Sequence, residues 1–466
     1  MSLHDLTALE QAAAIRACEV SAQELTEHYL RRSEQVAGAF VVLTPELAMQ
    51  QARAADAAVK EGTASGDLFG VVCPVKDLDF MVGANTRMGS VAFDLPSHED
   101  DYVVKAMRDA GLVFTGKTNT PEFGLPCYTE PEPEVAAPAR CVWDPGRTAG
   151  GSSGGAAVAV ASGLAPIAHG SDGGGSIRIP ASANGLVGIK PSRGRVSNGP
   201  IRDPIGDLVT MGPLARTVTD AAALLDVMSV PFPGDPFHVP PSGGFLAAAR
   251  TPVRPLRIGV VTEPIIADVP VHPDSVAAVE RTAAWLTGLG HTVEATKRPF
   301  GPELVAQFEV VWHVLALLTP VMPDDEERLQ PLTRHLRELG RKVSGIELAM
   351  AISLLRIQTR ATLNDWSRFD VVVLPTTNGP APLIEDILDK DDPARDFENQ
   401  KRWAAYTAAF NMTGQPAISL PLHWTVEGLP VGVQLVGPMF SEELLLQLAA
   451  QLEQAHPWLD RKADAW

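Results

Sequence analysis

The sequence predicts an α/β fold in which helices cover both faces of a central mixed, twisted sheet. Three observations lead there. Short apolar runs of strand length alternate with helix-length segments. The apolar runs are continuous rather than alternating, as in strands buried on both faces. A chain of 466 residues, 45% of them hydrophobic, has enough apolar surface for a large core.

The elements follow in order. Ser21-x-x-Glu24 is a capping-box pattern that opens a helix running toward Arg32, and Pro45 to Lys60 is a second helical stretch. Strand Val71–Val75 begins the alternation: helix Tyr102–Ala110, strand Leu112–Thr115, helix Ser153–Ser162, strands Pro166–His169 and Leu186–Lys190. The Pro/Gly-rich stretch Val230–Gly244 reads as a linker. Further strands follow it at Leu256–Val261, Val371–Pro375, Ala417–Leu420 and Val431–Val436.

Composition bounds the function. Thirty-eight basic against 56 acidic residues give a net charge of −18, which argues against nucleic acid or an anionic membrane as partner. Thr148 to Ser171 lacks charge but is broken by Gly, Ser and Pro, so it reads as a buried helix rather than a membrane span. Cys18, Cys73, Cys127 and Cys141 are scattered without metal-ligand or disulfide spacing, and Met1 to Asp5 shows no secretory pattern. A reduced, cytoplasmic protein is expected, with a small molecule as its partner.

The segment Gly150 to Arg195 carries the chemistry. It holds Gly150-Gly151-Ser152-Ser153-Gly154-Gly155 and then Gly170-Ser171-Asp172-Gly173-Gly174-Gly175-Ser176-Ile177-Arg178, with Ser152 and Ser176 24 positions apart. Glycine beside a polar side chain lets backbone N–H groups approach a bound oxygen, as an oxyanion hole requires. A serine hydroxyl needs a base. Lys76, at the end of the apolar run Gly70–Lys76, is the candidate. To act near pH 7 its amine must fall from near 10.4 by roughly three units, about 4 kcal/mol, which burial can supply.

Two other patterns are weaker. Gly111 to Thr118 matches the Walker A spacing, but a helix precedes its first glycine and Pro121 follows. Gly150-x-Ser152-x-Gly154 matches the nucleophile elbow of α/β-hydrolases, yet Trp143–Thr148 before it is turn chemistry rather than a strand.

The two serine blocks, the lysine in Pro74-Val75-Lys76-Asp77 and the 24-residue spacing resemble the amidase signature hydrolases. The resemblance extends through Gly116–Phe123, Gly212–Arg216, Gly414–Ala417 and Leu429–Gly437, nearly the whole chain. It implies Ser176 as the acyl-accepting nucleophile, Ser152 as a bridging serine after a cis peptide bond, and Lys76 as terminal base. It further implies an oxyanion hole from the N–H groups of Gly173, Gly174, Gly175 and Ser176, with Asp172, Arg178 and Ser153 supporting the loops. It implies one domain over residues 1–466, with a helical segment 1–65 and a helical subregion at about 275–365, acting on a small-molecule amide with no metal or organic cofactor. Gly173 departs from the family, where many relatives carry Thr or Ile, so either a looser oxyanion hole or a differently shaped acyl group is expected. Open within the family are a catabolic amidase, a nylon-oligomer or carbamate/ester hydrolase, the A subunit of the tRNA-dependent amidotransferase, and a homodimeric state. Loops near Cys127–Cys141, residues 305–330 and Trp403–Asn411 are expected to wall the pocket.

Overall fold

The computed structural model describes residues 2–202 and 205–466. Its strands, in chain order, are β1 Phe40–Leu43, β2 Val75–Lys76, β3 Asn85–Thr86, β4 Leu95–Pro96, β5 Gly116–Thr118, β6 Ile167–Asp172, β7 Val187–Lys190, β8 Thr210–Ala215, β9 Arg257–Val260, β10 Thr292–Ala295, β11 Val371–Pro375, β12 Ala417–Trp424 and β13 Pro430–Val436. Eight form one sheet in the order β10-β9-β11-β13-β12-β7-β8-β6. The β10/β9 and β9/β11 pairs are parallel and the other five antiparallel, so the sheet is mixed as expected.

Strands β6, β8, β11 and β13 are buried at every position, because helices cover the sheet on both sides. Strands from before and after residues 230–244 share this sheet, so that stretch does not divide it. A second sheet, β1-β5-β2, carries Lys76 at its edge.

Local chemistry explains where the elements begin and end. At the helix Ala22–Ser33, the Ser21 hydroxyl accepts the Glu24 N–H and the Glu24 carboxylate accepts the Ser21 N–H, at 3.0 and 2.9 Å. Pro45 occupies the first turn of the helix Pro45–Glu61, where its missing N–H costs nothing. The expected strand Val71–Val75 shrinks to Val75–Lys76 plus a single bridge, Val72 to Val113, since Pro74 has no N–H for a ladder. The expected strand Leu112–Thr115 gives way to Gly116–Thr118, because the Phe114 N–H donates to Gln51 Oε1 (2.9 Å) instead. Within 275–365 the helices are interrupted by edge strand β10, and β1 lies inside 1–65.

Candidate active site

Three backbone segments converge. Strand β2 delivers Lys76; the turn before the helix Gly154–Ala161 delivers Ser152 and Ser153; β6 runs out through Asp172 into the loop 173–177 ahead of the helix Arg178–Asn184. The Gly151–Ser152 peptide bond is cis. The Ser153 N–H donates to the Ser176 carbonyl (3.1 Å), tying the two serine loops together.

Lys76 is fully buried, with its Nζ 2.8 Å from Ser152 Oγ, 2.9 Å from Ser153 Oγ, 3.1 Å from Ser171 Oγ and 3.4 Å from the Ser171 carbonyl. Burial lowers its amine to about 7, while Asp79 and Asp172 act to raise it and Arg202 to lower it further. The two neighbouring hydroxyls differ. That of Ser153 donates to the Ser171 carbonyl (3.2 Å) and its oxygen accepts the Ser171 N–H (3.3 Å), so its proton is committed. The Ser152 and Ser171 hydroxyls have no hydrogen-bond partner but Lys76 among the described residues, and of the two Ser152 is the nearer to the amine, at 2.8 against 3.1 Å.

Asp172 organises the glycine loop. Its carboxylate accepts the N–H groups of Gly175 (2.8 Å) and Ile177 (3.1 Å) and two bonds from Arg178, at 3.0 and 2.9 Å. Burial pushes this carboxyl up, but the Arg178 charge and these bonds outweigh it and hold the group at about 2. Arg178, also fully buried, donates as well to the Thr407 carbonyl, Gln434 Oε1 and Asn411 Oδ1. Asn411 in turn donates to the Asp172 carbonyl (2.8 Å).

The loop N–H groups differ from expectation at one residue. The family resemblance places Gly175 among the oxyanion donors, yet its N–H points at Asp172. Gly173, Gly174 and Ser176 have N–H groups without a protein partner among the described residues. Gly175 has a φ of +133°, and a Cβ there would fall 2.2 Å from Thr407 Oγ1, so only glycine fits.

Ser176 sits between two cavities. The larger, about 450 Å³, is also lined by Ser152 and walled by Leu78, Phe80, Met88, Phe93, Phe123, Leu125, Trp312, Leu315 and Leu318, with Asn198 and Arg202 as polar members. The smaller, about 60 Å³, lies against Cys127, Gly174, Phe308, Ala404 and Ala408. Of the walls expected from sequence, residues 305–330 line the main cavity, whereas Cys127 and the 403–411 segment reach only the small one. The walls from Leu78–Leu95 and Phe123–Leu125 escape sequence reasoning, since phenylalanine and leucine there look like any core residue.

Other sequence candidates resolve into structure. Lys117 of the Walker-like match lies in β5 and pairs with buried Asp77 at 2.9 Å. Arg193 donates to the carbonyls of Asp207, Asn411 and Met412, and buried Lys190 to that of Pro191.

Comparison with known proteins agrees with this architecture. The amidase family model matches residues 24–446. The chain belongs to the amidase signature family. It is 35% identical to the 6-aminohexanoate-cyclic-dimer hydrolase of Pseudomonas sp. strain NK87, covering 98% of this chain and 96% of that one. It is 37% identical to a putative amidase of Mycobacterium tuberculosis strain H37Rv, over 100% of this chain and 96% of the relative. A solved structure of a 6-aminohexanoate cyclic dimer hydrolase complexed with substrate superposes with a TM-score of 0.90 at 33% identity, covering 99% of each chain. As an amidase signature enzyme the chain is an amide-bond hydrolase. No helix among its described residues is long and apolar enough to cross a membrane.

Proposed function

We propose that this enzyme hydrolyses amides through an acyl-enzyme on Ser176, with Ser152 and Lys76 as the proton relay. The observation that carries the reading is the 2.8 Å contact between the Lys76 amine and the Ser152 hydroxyl, on the wall of the cavity that Ser176 also lines.

Neutral Lys76 takes the Ser152 proton while Ser152 takes that of Ser176, whose Oγ bonds to the substrate carbonyl carbon. The carbonyl oxygen becomes an oxyanion facing the N–H groups of Gly173, Gly174 and Ser176; losing one such donor typically costs roughly 3 to 4 kcal/mol. As the C–N bond breaks, the relay returns its proton to the leaving nitrogen, and the amine departs. Water then gives a proton to the same relay, its oxygen attacks the acyl carbon, and the acid leaves as Ser176 recovers its proton. Asp172, Arg178 and Ser153 hold the loops in place.

The mainly apolar cavity supports uncharged amides with aliphatic or aromatic acyl groups. Relatives named for the cyclic dimer of 6-aminohexanoate support amides of unbranched chains within that class. Strands from both sides of residues 230–244 in the eight-stranded sheet support one domain. A fluorophosphonate reagent should modify Ser176, located by peptide mapping, and a panel of aryl amides, alkyl amides, cyclic diamides, carbamates and esters should rank uncharged amides first. Modification of Ser152 with Ser176 untouched would overturn the assignment.

A further inference from the structure

Asp79 stands on the turn directly after β2, where its own N–H donates to the Lys76 carbonyl (3.2 Å). Its side chain is fully buried, and neither carboxylate oxygen has a hydrogen-bond partner among the described residues. A carboxylate stripped of water in this way persists only where charge holds it. Arg202 lies 3.6 Å from one oxygen and His169 Nε2 3.8 Å from the other.

His169 joins Asp79 to the base. Its Nδ1 accepts the backbone N–H of Lys76 (3.2 Å), so the ring proton sits on Nε2, on the side of Asp79. Burial lowers the imidazole to about 4, leaving it neutral and unable to balance the carboxylate.

Charge counting around Lys76 then singles out one group. Asp172 has Arg178 at 2.9 Å, and Asp77 has Lys117 at 2.9 Å. Asp79 and Asp101 share a single guanidinium, Arg202, which is 3.3 Å from Asp101. Burial first and the neighbouring Asp79 second push the Asp101 carboxyl up, as expected for two carboxylates around one cation. The cation that would complete the set is the protonated Lys76.

We infer that Asp79 is a positioning residue for the base: its buried, half-compensated carboxylate, with His169 holding the Lys76 backbone, sets the proton affinity of the Lys76 amine. It keeps a buried lysine from becoming too weak a base to accept the serine proton. The inference rests on the reading of Lys76 as base.

The test is the acidic limb of kcat/KM against pH for an uncharged aryl amide, in the full chain and in the variants Asp79→Asn and Arg202→Gln. Losing the carboxylate should move the limb down by about one pH unit, because the ammonium form loses its counter-charge. Losing the guanidinium should move it up, because the Arg202 charge itself opposes the ammonium form, so this variant checks that charge in the cluster reaches the amine. The kcat/KM profile reports the free enzyme, so any weaker hold on the substrate in Arg202→Gln changes the height of the profile and not its midpoint. If Asp79→Asn does not fold, Asp79→Ala takes its place, with the same downward shift expected. A limb that stays put or moves the other way in the folded variants overturns the role of Asp79. Residual activity of Lys76→Ala separates the two readings: a limb that survives there belongs to another group and ends the Lys76 reading as well, whereas a limb abolished there but unmoved in the other variants overturns only this inference.

Discussion

The Trp312 indole fills the space that a side chain on Gly173 would need: a Cβ built on Gly173 would lie 3.1 and 3.2 Å from two indole carbons and 3.2 Å from Val209. The bare residue in the loop and the large one on the helix Val305–Leu318 are therefore a matched pair. Trp312, stacked on Phe308 at 5.2 Å between ring centroids, also lines both cavities that meet at Ser176.

Gly173→Thr should accordingly press on the indole and cost about 1 to 3 kcal/mol, read as a drop in melting temperature together with slower amide turnover. Adding Trp312→Leu should recover part of both losses, since the smaller side chain vacates the space. Strict additivity of the two substitutions in stability and in kcat/KM would show that the residues are not coupled.

The adjacent serines should separate cleanly. Ser152→Ala removes the hydroxyl nearest to the Lys76 amine whose proton is not committed elsewhere, and amide kcat should fall about 10²- to 10⁴-fold with folding intact. Ser153→Ala removes a hydroxyl already donating to the Ser171 carbonyl, so the larger effect should be on stability, about 1 to 3 kcal/mol. Equal kinetic losses from the two would contradict the assignment of the relay to Ser152.

Arg178 balances a carboxylate that has no exposure to water. Arg178→Met should cost about 3 to 5 kcal/mol by leaving Asp172 charged and unpaired, and Asp172→Asn on top of it should restore some of that. Because Asp172 titrates lower folded than unfolded, its contribution is present above pH 4 and is lost as the pH falls toward 2. Urea unfolding at pH 7 and pH 3 measures both effects.

What the sequence revealed of the site follows a physical line. Ser152, Ser176, Asp172 and Arg178 lie in short glycine-rich segments whose composition has little use outside such chemistry, whereas Lys76 ends an ordinary apolar run and stood out only beside them; the structure brings all five together. The strand runs from Leu186, Leu256, Val371, Ala417 and Val431 were legible for a similar reason, since buried strands favour unbroken apolar stretches, whereas β8, broken by Gly212-Pro213, was not. Groups joined only by tertiary contact were hidden. His169 and Asp79 meet across 90 positions, Asn411 reaches Asp172 across 239, and the Phe80, Phe93 and Trp312 walls carry no local signal. The direction of the Gly175 N–H was hidden as well, because a glycine run does not say which amides face a ligand and which fold back onto an aspartate.

Lys76 offers a test of its protonation that needs no substrate. Its amine titrates at about 7 in the folded chain and at 10.5 in its unperturbed state, so between those values the unfolded chain holds a proton that the folded chain does not. Stability must then rise with pH across that window, and the full penalty of burying the amine is felt only below about 7. Lys76→Met keeps most of the length of the side chain and removes the titration. Relative to the parent, the variant should be most favoured near pH 6, and that advantage should shrink by on the order of 4 kcal/mol toward pH 10.5, since groups that do not interact with Lys76 cancel in the difference. Urea unfolding of both proteins at several pH values gives the two curves. Lys76→Arg, charged throughout, should show no such rise and no recovery of amide turnover. Parallel curves for the parent and Lys76→Met would mean that the folded amine keeps its proton to pH 10, and a lysine in that state cannot start the relay.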